Sequence, residues 1–309
     1  MLFFQAQAQF PPPAGVEGTT AIHADSSIFV AWASQCIVER GFVDISQPEL
    51  GFVDFGESGD ALNKANNTIV SLGDGGMAIL EFPQAIINSE GPDFAIFENA
   101  FSNEFLELAL VYVSSNGVDY ELFPAISNTQ IETQIEGFGT IDATKIHNLA
   151  GKYRMNYGTP FNLSDLSGEL SKQGSKISHI KIVDVVGIIN EDYAHYDAQN
   201  NIINDPWPTP FPSGGFDLDA VGVIHQATGL MEENIKTNLI FPNPNQGSFK
   251  IKNPPNEEII YMEIFHLNAK KLKAFHLEST TIHSHLPKGI YVLVLHSEKS
   301  VYRQKMIVL

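Results

Sequence analysis

Phe105-Leu-Glu-Leu-Ala-Leu-Val-Tyr-Val-Ser-Ser115 runs straight into Asn116-Gly117, and Val118-Asp-Tyr-Glu-Leu-Phe-Pro124 follows. An apolar run rich in β-branched and aromatic residues, an Asn-Gly pair and a second such run predict a hairpin with a type I′ turn. Working outward, the same period of two recurs. Thr68–Leu72 and Met77–Phe82 flank Gly73-Asp-Gly-Gly76, a second hairpin signal. Asp93–Glu98, Lys176–Gly187 and Gly215–Ile224 also read as strands. One stretch differs. Ile28, Trp32 and Cys36 recur at i, i+4 and i+8 behind Asp25 or Ser26, which predicts a capped helix with Cys36 as a buried small hydrophobe. Short helices are expected around 145–150 and 163–166. Many short strands, Gly and Pro turns and one early helix predict an all-β chain whose main domain is a jelly-roll-like antiparallel β-sandwich.

The length of 309 residues suggests about two domains. Residues 227–237 are polar and unpatterned and read as a linker, with a sandwich over 9–226 before it and a small β domain over 238–309 after it. Charge divides at the same place. The net charge is −18, yet residues 238–309 carry nine Lys/Arg against five Asp/Glu, so the remainder stands at −22. An acidic main domain repels phosphate backbones and argues against nucleic acid as a partner. No apolar run is long enough to span a membrane as a helix. The single cysteine excludes an internal disulfide. Ala6-Gln7-Ala8 fits a signal-peptidase pattern, so residues 1–8 read as a signal-peptide remnant cleaved before Gln9.

The end of the chain carries three spaced motifs. Asn238-Leu-Ile-Phe-Pro-Asn-Pro-Asn-Gln-Gly-Ser-Phe249 opens it, Leu286-Pro-Lys-Gly-Ile-Tyr-Val-Leu-Val-Leu295 lies in the middle, and Lys305-Met-Ile-Val308 closes it. Together they resemble the type A C-terminal sorting domain of the type IX secretion system. The middle turn departs from that family, with Ala269-Lys270 where Gly before a basic residue is common. The resemblance implies a small β-sandwich that engages the outer-membrane translocon and delivers the chain to the outside or the outer cell surface. Pro242, Asn243, Pro244, Gly247, Gly289, Tyr291, Lys305 and Val308 are the positions that carry it. Gly91–Asn99, Lys181–Gly187 and Gly214–Ile224 resemble motifs of bacterial secreted cell-surface proteins with galactose-binding-like sandwiches. That likeness implies a fold and no settled activity.

Chemistry in the main domain rests on oxygen ligands. Asp93 and Asn99 share a strand face, Asp217 and Asp219 share a face at the head of the last strand, and Asp184 lies inside an apolar strand, where a carboxylate is costly unless paired or metal-bound. Hard cations take six to eight oxygens of this mixed kind, so Ca²⁺ is the expected ion. The competing reading makes the same residues turn formers, satisfied by backbone amides. Tyr196, Asp197, Asp205, Trp207 and Phe211 form the expected ligand loop, stiffened by Pro206, Pro208, Pro210 and Pro212 and suited to a glycan or small molecule. Glu98, Glu104 and Glu107 leave a two-carboxylate glycan hydrolase as the alternative. A purely structural surface component is the third. No nucleophile elbow, phosphate loop or zinc-helix motif occurs.

Overall fold

The computed structural model describes residues 10–227, 239–254, 258–266, 271–277, 279–297 and 301–309. The chain divides into two compact units, Met1–Thr228 and Gly229–Leu309. The expected signal remnant, the expected linker beyond Ala227, and Ala269-Lys270 lie outside the described residues.

The first unit is all-β. Its strands are β1 (Ile22–His23), β2 (Ala31–Trp32), β3 (Gln35–Glu39), β4 (Val70–Ser71), β5 (Met77–Ile87), β6 (Phe94–Glu98) and β7 (Ala109–Ser114). There follow β8 (Glu121–Leu122), β9 (Ile126–Ser127), β10 (Ile146–His147), β11 (Tyr157–Phe161), β12 (Lys176–Asp184) and β13 (Asp217–Val223). One sheet runs β1-β11-β6-β13-β2, with β4 also on β13; the other runs β3-β5-β12-β7-β8. All pairings are antiparallel. Phe94, Ile96, Leu218 and Val221 of the first sheet meet Val111, Val113, Ile180 and Ile182 of the second in one buried core. Strand alternation sends the other face of β7 into a second cluster, where Leu108 and Leu110 pack on Ile135, Ile141 and Ile203 of the loops. Both faces of β6 are covered because Ala95 and Phe97 pack outward against Phe29 and Trp32.

Three local expectations are corrected. The helix expected over Asp25–Cys36 is absent: β2 and β3 occupy that stretch. A spacing of four satisfies a period of two as well as a period of 3.6, so Ile28, Trp32 and Cys36 did not distinguish them. β-branched Val30, Ile37 and Val38 favour the extended choice. Cys36 does pack against the core, and burial pushes its thiol up to about 11, which leaves it inert. The short helices are 3₁₀ turns, Ala143–Lys145 and Leu163–Asp165. Neither expected hairpin forms as a tight one. β4 and β5 belong to different sheets, and Gly73–Gly76 carries the chain between them. After β7, only Gly117 takes a left-handed backbone, while the Asn116 side chain accepts from the Val118 and Asp119 amides and makes a longer loop.

The second unit is a small sandwich. β14 (Ile240–Phe241), β15 (Ser248–Ile251) and β18 (Thr281–His283) form one sheet. β16 (Tyr261–His266), β17 (Lys271–His276), β19 (Gly289–His296) and β20 (Val301–Val308) form the other, in the order β17-β16-β19-β20. Phe249, Ile251 and Ile282 pack against Met262, Ile264, Leu293 and Met306. The Pro242-Asn243-Pro244 segment lies along β20. Proline has no amide hydrogen, so the Asn243 side chain supplies what the backbone lacks: its Nδ2 donates to the Lys305 carbonyl oxygen at 2.6 Å and its Oδ1 accepts from the Ile307 amide at 2.9 Å. Gly247 has φ +85°, and its amide is held by Asn245 Oδ1. Tyr291 is buried and donates to the Pro287 carbonyl oxygen; Val308 is buried, and Lys305 is exposed.

Candidate functional site

Four strand ends from the two facing sheets come to one end of the first unit. They are the end of β6, the start of β13, the start of β7 and the end of β12. Each brings an acid. Glu98 shares the inner face of β6 with Phe94 and Ile96, and Glu107 continues the inner-facing series Ala109, Val111 and Val113. Alternation in two different sheets therefore turns these two glutamates toward each other. Asp217 heads β13, Asp184 ends β12, and Asp205 enters from a loop to accept from the Leu108 amide at 2.8 Å.

The electrostatics follow from burial. Loss of water raises the carboxyls of Glu98, Glu107, Asp184 and Asp205 well above the ordinary range, and their negative neighbours add to it. For Glu98 the chief neighbour is Asp217; for Glu107 it is Glu98. Asp217 is pushed up to about 7 by burial, against a hydrogen bond at 2.5 Å from the Ser71 hydroxyl. Glu107 and Asp217 keep some exposed surface although dense protein surrounds them. Among the described residues, two buried oxygens of this cluster, Glu98 Oε1 and Asp205 Oδ1, have no partner. Among the described residues, no three His, Cys, Asp or Glu side chains are already arranged to hold a metal ion.

A pocket of about 400 Å³ opens on this end. Asp217 and Asn99 line it together with Asp60, Asn67, Thr68, Ser213 and Phe55. Its walls are built deliberately. Arg40 donates to the carbonyl oxygens of Phe55, Gly56 and Ser71. Gly56 has φ +73°, and a Cβ there would fall 1.9 Å from the Ile69 carbonyl oxygen, so no other residue fits. Asp219 accepts from the Asn66 and Asn67 amides and so holds the Asn67–Thr68 wall. The Pro212 carbonyl oxygen accepts from the Asp54 and Phe55 amides and ties the remaining wall down.

An aromatic ledge adjoins it in sequence. Phe101 stacks on Phe105 at 4.5 Å between ring centroids, Phe105 on Phe138 at 6.0 Å, and Phe138 meets Phe211 at 5.8 Å. Phe101 and Phe138 are 63% and 70% exposed, and Phe211 is 44% exposed. Phe101, Phe138 and Phe211 thus expose their rings in one row that is connected through the buried Phe105.

The expected metal residues separate into two groups. Asn99 and Asp217 meet at the pocket. Asp93, Asp184 and Asp219 each have their own partners. Asp93 accepts from the Ser89 and Leu163 amides and pairs with His225 Nδ1 at 2.9 Å. Asp184 accepts from the Gly75 and Phe216 amides. Of the expected ligand loop, Phe211 is on the ledge. Asp197 is buried in its own turn, accepting from Ser127, Gln199 and Asn201, and Tyr196 is exposed with its backbone bridged to Ile202. Trp207 is a strut: its indole N–H donates to Asp74 Oδ2 at 3.0 Å, beside the Ile45 amide at 2.9 Å. Burial pushes Asp74 up to about 6. Replacing Trp207 with Phe keeps the ring and deletes the donor. It is expected to cost about 1–2 kcal/mol, read as a lower denaturant midpoint with unchanged slope; an unchanged midpoint would dismiss the strut. Sequence reading missed Phe55, Asp60, Asn67, Thr68, Ser213, Phe101 and Phe138. The stretches 56–60, 66–68 and 212–215 carried turn signals and nothing more.

Residues 239–309 match the family model for a secretion system C-terminal sorting domain. The chain carries a type IX sorting domain. That domain directs secretion to the cell surface and implies contact with the secretion machinery. No helix among the described residues is long and apolar enough to cross a membrane. No curated protein matches the chain. Among solved structures, the BSP domain of a biofilm-associated protein aligns over 92% of this chain and 53% of its own length, at 10% identity and a TM-score of 0.17. The chain thus spans about half of that domain, and so weak a likeness carries no argument.

Proposed function

We propose that the first unit is a surface-displayed binding or adhesion module on a jelly-roll-like, galactose-binding-like sandwich, with a polyhydroxylated ligand such as a glycan as its target. The observation that carries this reading is the pairing of an oxygen-lined pocket with an exposed row of phenylalanines. Phe101, Phe138 and Phe211 offer apolar faces for the carbon side of a sugar ring. Asp60, Asn67, Thr68, Asn99 and Ser213 offer donors and acceptors for its hydroxyls. We further propose Ca²⁺ at the strand-end acids, where the partnerless oxygens of Glu98 and Asp205 favour a cation, with backbone and water oxygens completing its shell. The surface-attached state is part of the same proposal.

A hydrolase is the second reading, because Asp217 and Glu98 form a carboxyl pair shifted upward beside a pocket. One experiment separates the two. Soluble oligosaccharides are screened for binding to the full chain, and each bound compound is then analysed after prolonged incubation. Unchanged ligand supports the binding module. New reducing ends that disappear in Asp217→Asn would replace it with the hydrolase.

A further inference from the structure

A second pocket, about 540 Å³ in volume, lies where β1 and β11 meet the turn after β10. It shares no residue with the strand-end pocket. Its body is apolar, with Ile22, Ile28, Pro92 and Pro160 among the lining residues. Its buried polar groups include three donors. Lys152 is 4% exposed, and among the described residues its Nζ makes one hydrogen bond, to the Ile146 carbonyl oxygen at 2.7 Å. The ammonium also lies 5.8 and 5.5 Å from the ring centroids of Phe10 and Tyr153. Among the described residues no carboxylate forms an ion pair with it. Asn148 and Thr159 are 6% and 3% exposed, and among the described residues Asn148 Nδ2 and Thr159 Oγ1 have no partner.

Asp142 acts on this ammonium without forming an ion pair with it, and a buried cation that lacks a direct ion pair beside two orphaned polar atoms is costly in an empty protein. It is unusual in a chain of net charge −18, where acids to pair with it are plentiful. A ligand with one negative charge would satisfy all three groups. The surrounding charges favour a monoanion over a dianion. Burial lowers the His147 imidazole, so it adds no cation near neutral pH, and exposed Asp165 at the lining opposes a dianion. We propose that this pocket binds a small organic carboxylate with an apolar body. The carboxylate sits on Lys152, Asn148 and Thr159, and the body lies against Ile22, Ile28 and Pro160. This site is independent of the glycan reading and goes beyond it.

The test is calorimetric titration of the full chain with octanoate and benzoate, and with 1-octanol and benzyl alcohol as uncharged counterparts. At least one acid is expected to bind with a Kd below about 1 mM, and its alcohol about tenfold or more weaker. Lys152→Met keeps the aliphatic stem and removes the charge. It should weaken the acid about tenfold or more, with a cooperative melt showing that the variant is folded, because loss of the buried charge offsets loss of the bond to the Ile146 carbonyl oxygen. Thr159→Val should weaken it several-fold. Binding by neither acid, equal binding of acid and alcohol, or full binding by folded Lys152→Met would overturn the proposal.

Discussion

Deleting residues 239–309 should leave the first unit in the periplasm of a host that has the type IX system, with surface display lost almost completely. The sorting-domain match lies within those residues. They also form a compact unit whose core draws on its own strands. Protease accessibility on whole cells and fractionation read the outcome; normal display of the truncated chain would refute it. Asn243→Ala should give a partial version of the same defect. It removes both side-chain bonds to β20 and leaves the neighbouring Asn245 backbone bonds to Ile307 and Leu309, so the segment loosens without unfolding the domain.

The second large effect concerns pH and calcium. In chelator, the first unit should lose stability as pH rises from about 4 to about 7. Asp217 has an ordinary carboxyl value of 3.8 unfolded and is pushed up to about 7 when folded. The folded state therefore holds the proton longer. Its contribution is fully present below the unfolded value, declines as pH rises, and is gone above the folded one. Asp74, pushed up to about 6, and Glu98, Glu107, Asp184 and Asp205, all shifted upward, have the same sign. Calcium binds the ionised form, so it should raise the melting temperature more at pH 7 than at pH 4. Asp217→Asn should raise it at pH 7 in chelator by several degrees, at about 2–4 °C per kcal/mol for a chain of this size. It should also flatten the slope between pH 4 and 7. Parent and variant with superimposable pH curves would show that this cluster does not govern stability.

The strands were legible because their apolar patterning is local. Phe94–Glu98, Lys176–Asp184 and Asp217–Val223 fall within the stretches the alternation marked. Ala31–Glu39 reads ambiguously because spacing by four fits both periods; its β-branched residues and the pairing of β2 with β13 and of β3 with β5 decide it. Asp184 was recognisable as costly, and Asp217 and Asp219 as sharing a strand face. The grouping of the carboxylates was not, because it depends on which strands face each other. Glu98 and Glu107 sit on different sheets, and nothing near either in sequence states that β6 opposes β7. Asp93 and Asp219 drew attention for the same reason as Asp217, yet backbone amides from distant loops satisfy them. The phenylalanine ledge was hidden more completely. Phe101 and Phe105 are close in sequence, but Phe138 and Phe211 join them only through folding.

The most direct test takes an oligosaccharide bound by the full chain and measures its affinity for three proteins: the parent, Phe138→Ala and Asp217→Asn. Phe138 is 70% exposed, so its loss should leave the fold intact. The expected results are about a threefold to tenfold loss for Phe138→Ala, from the missing stacking face, and about tenfold or more for Asp217→Asn, from the missing carboxylate at the pocket. Parent-like affinity in both variants would place the ligand elsewhere and contradict the strand-end site.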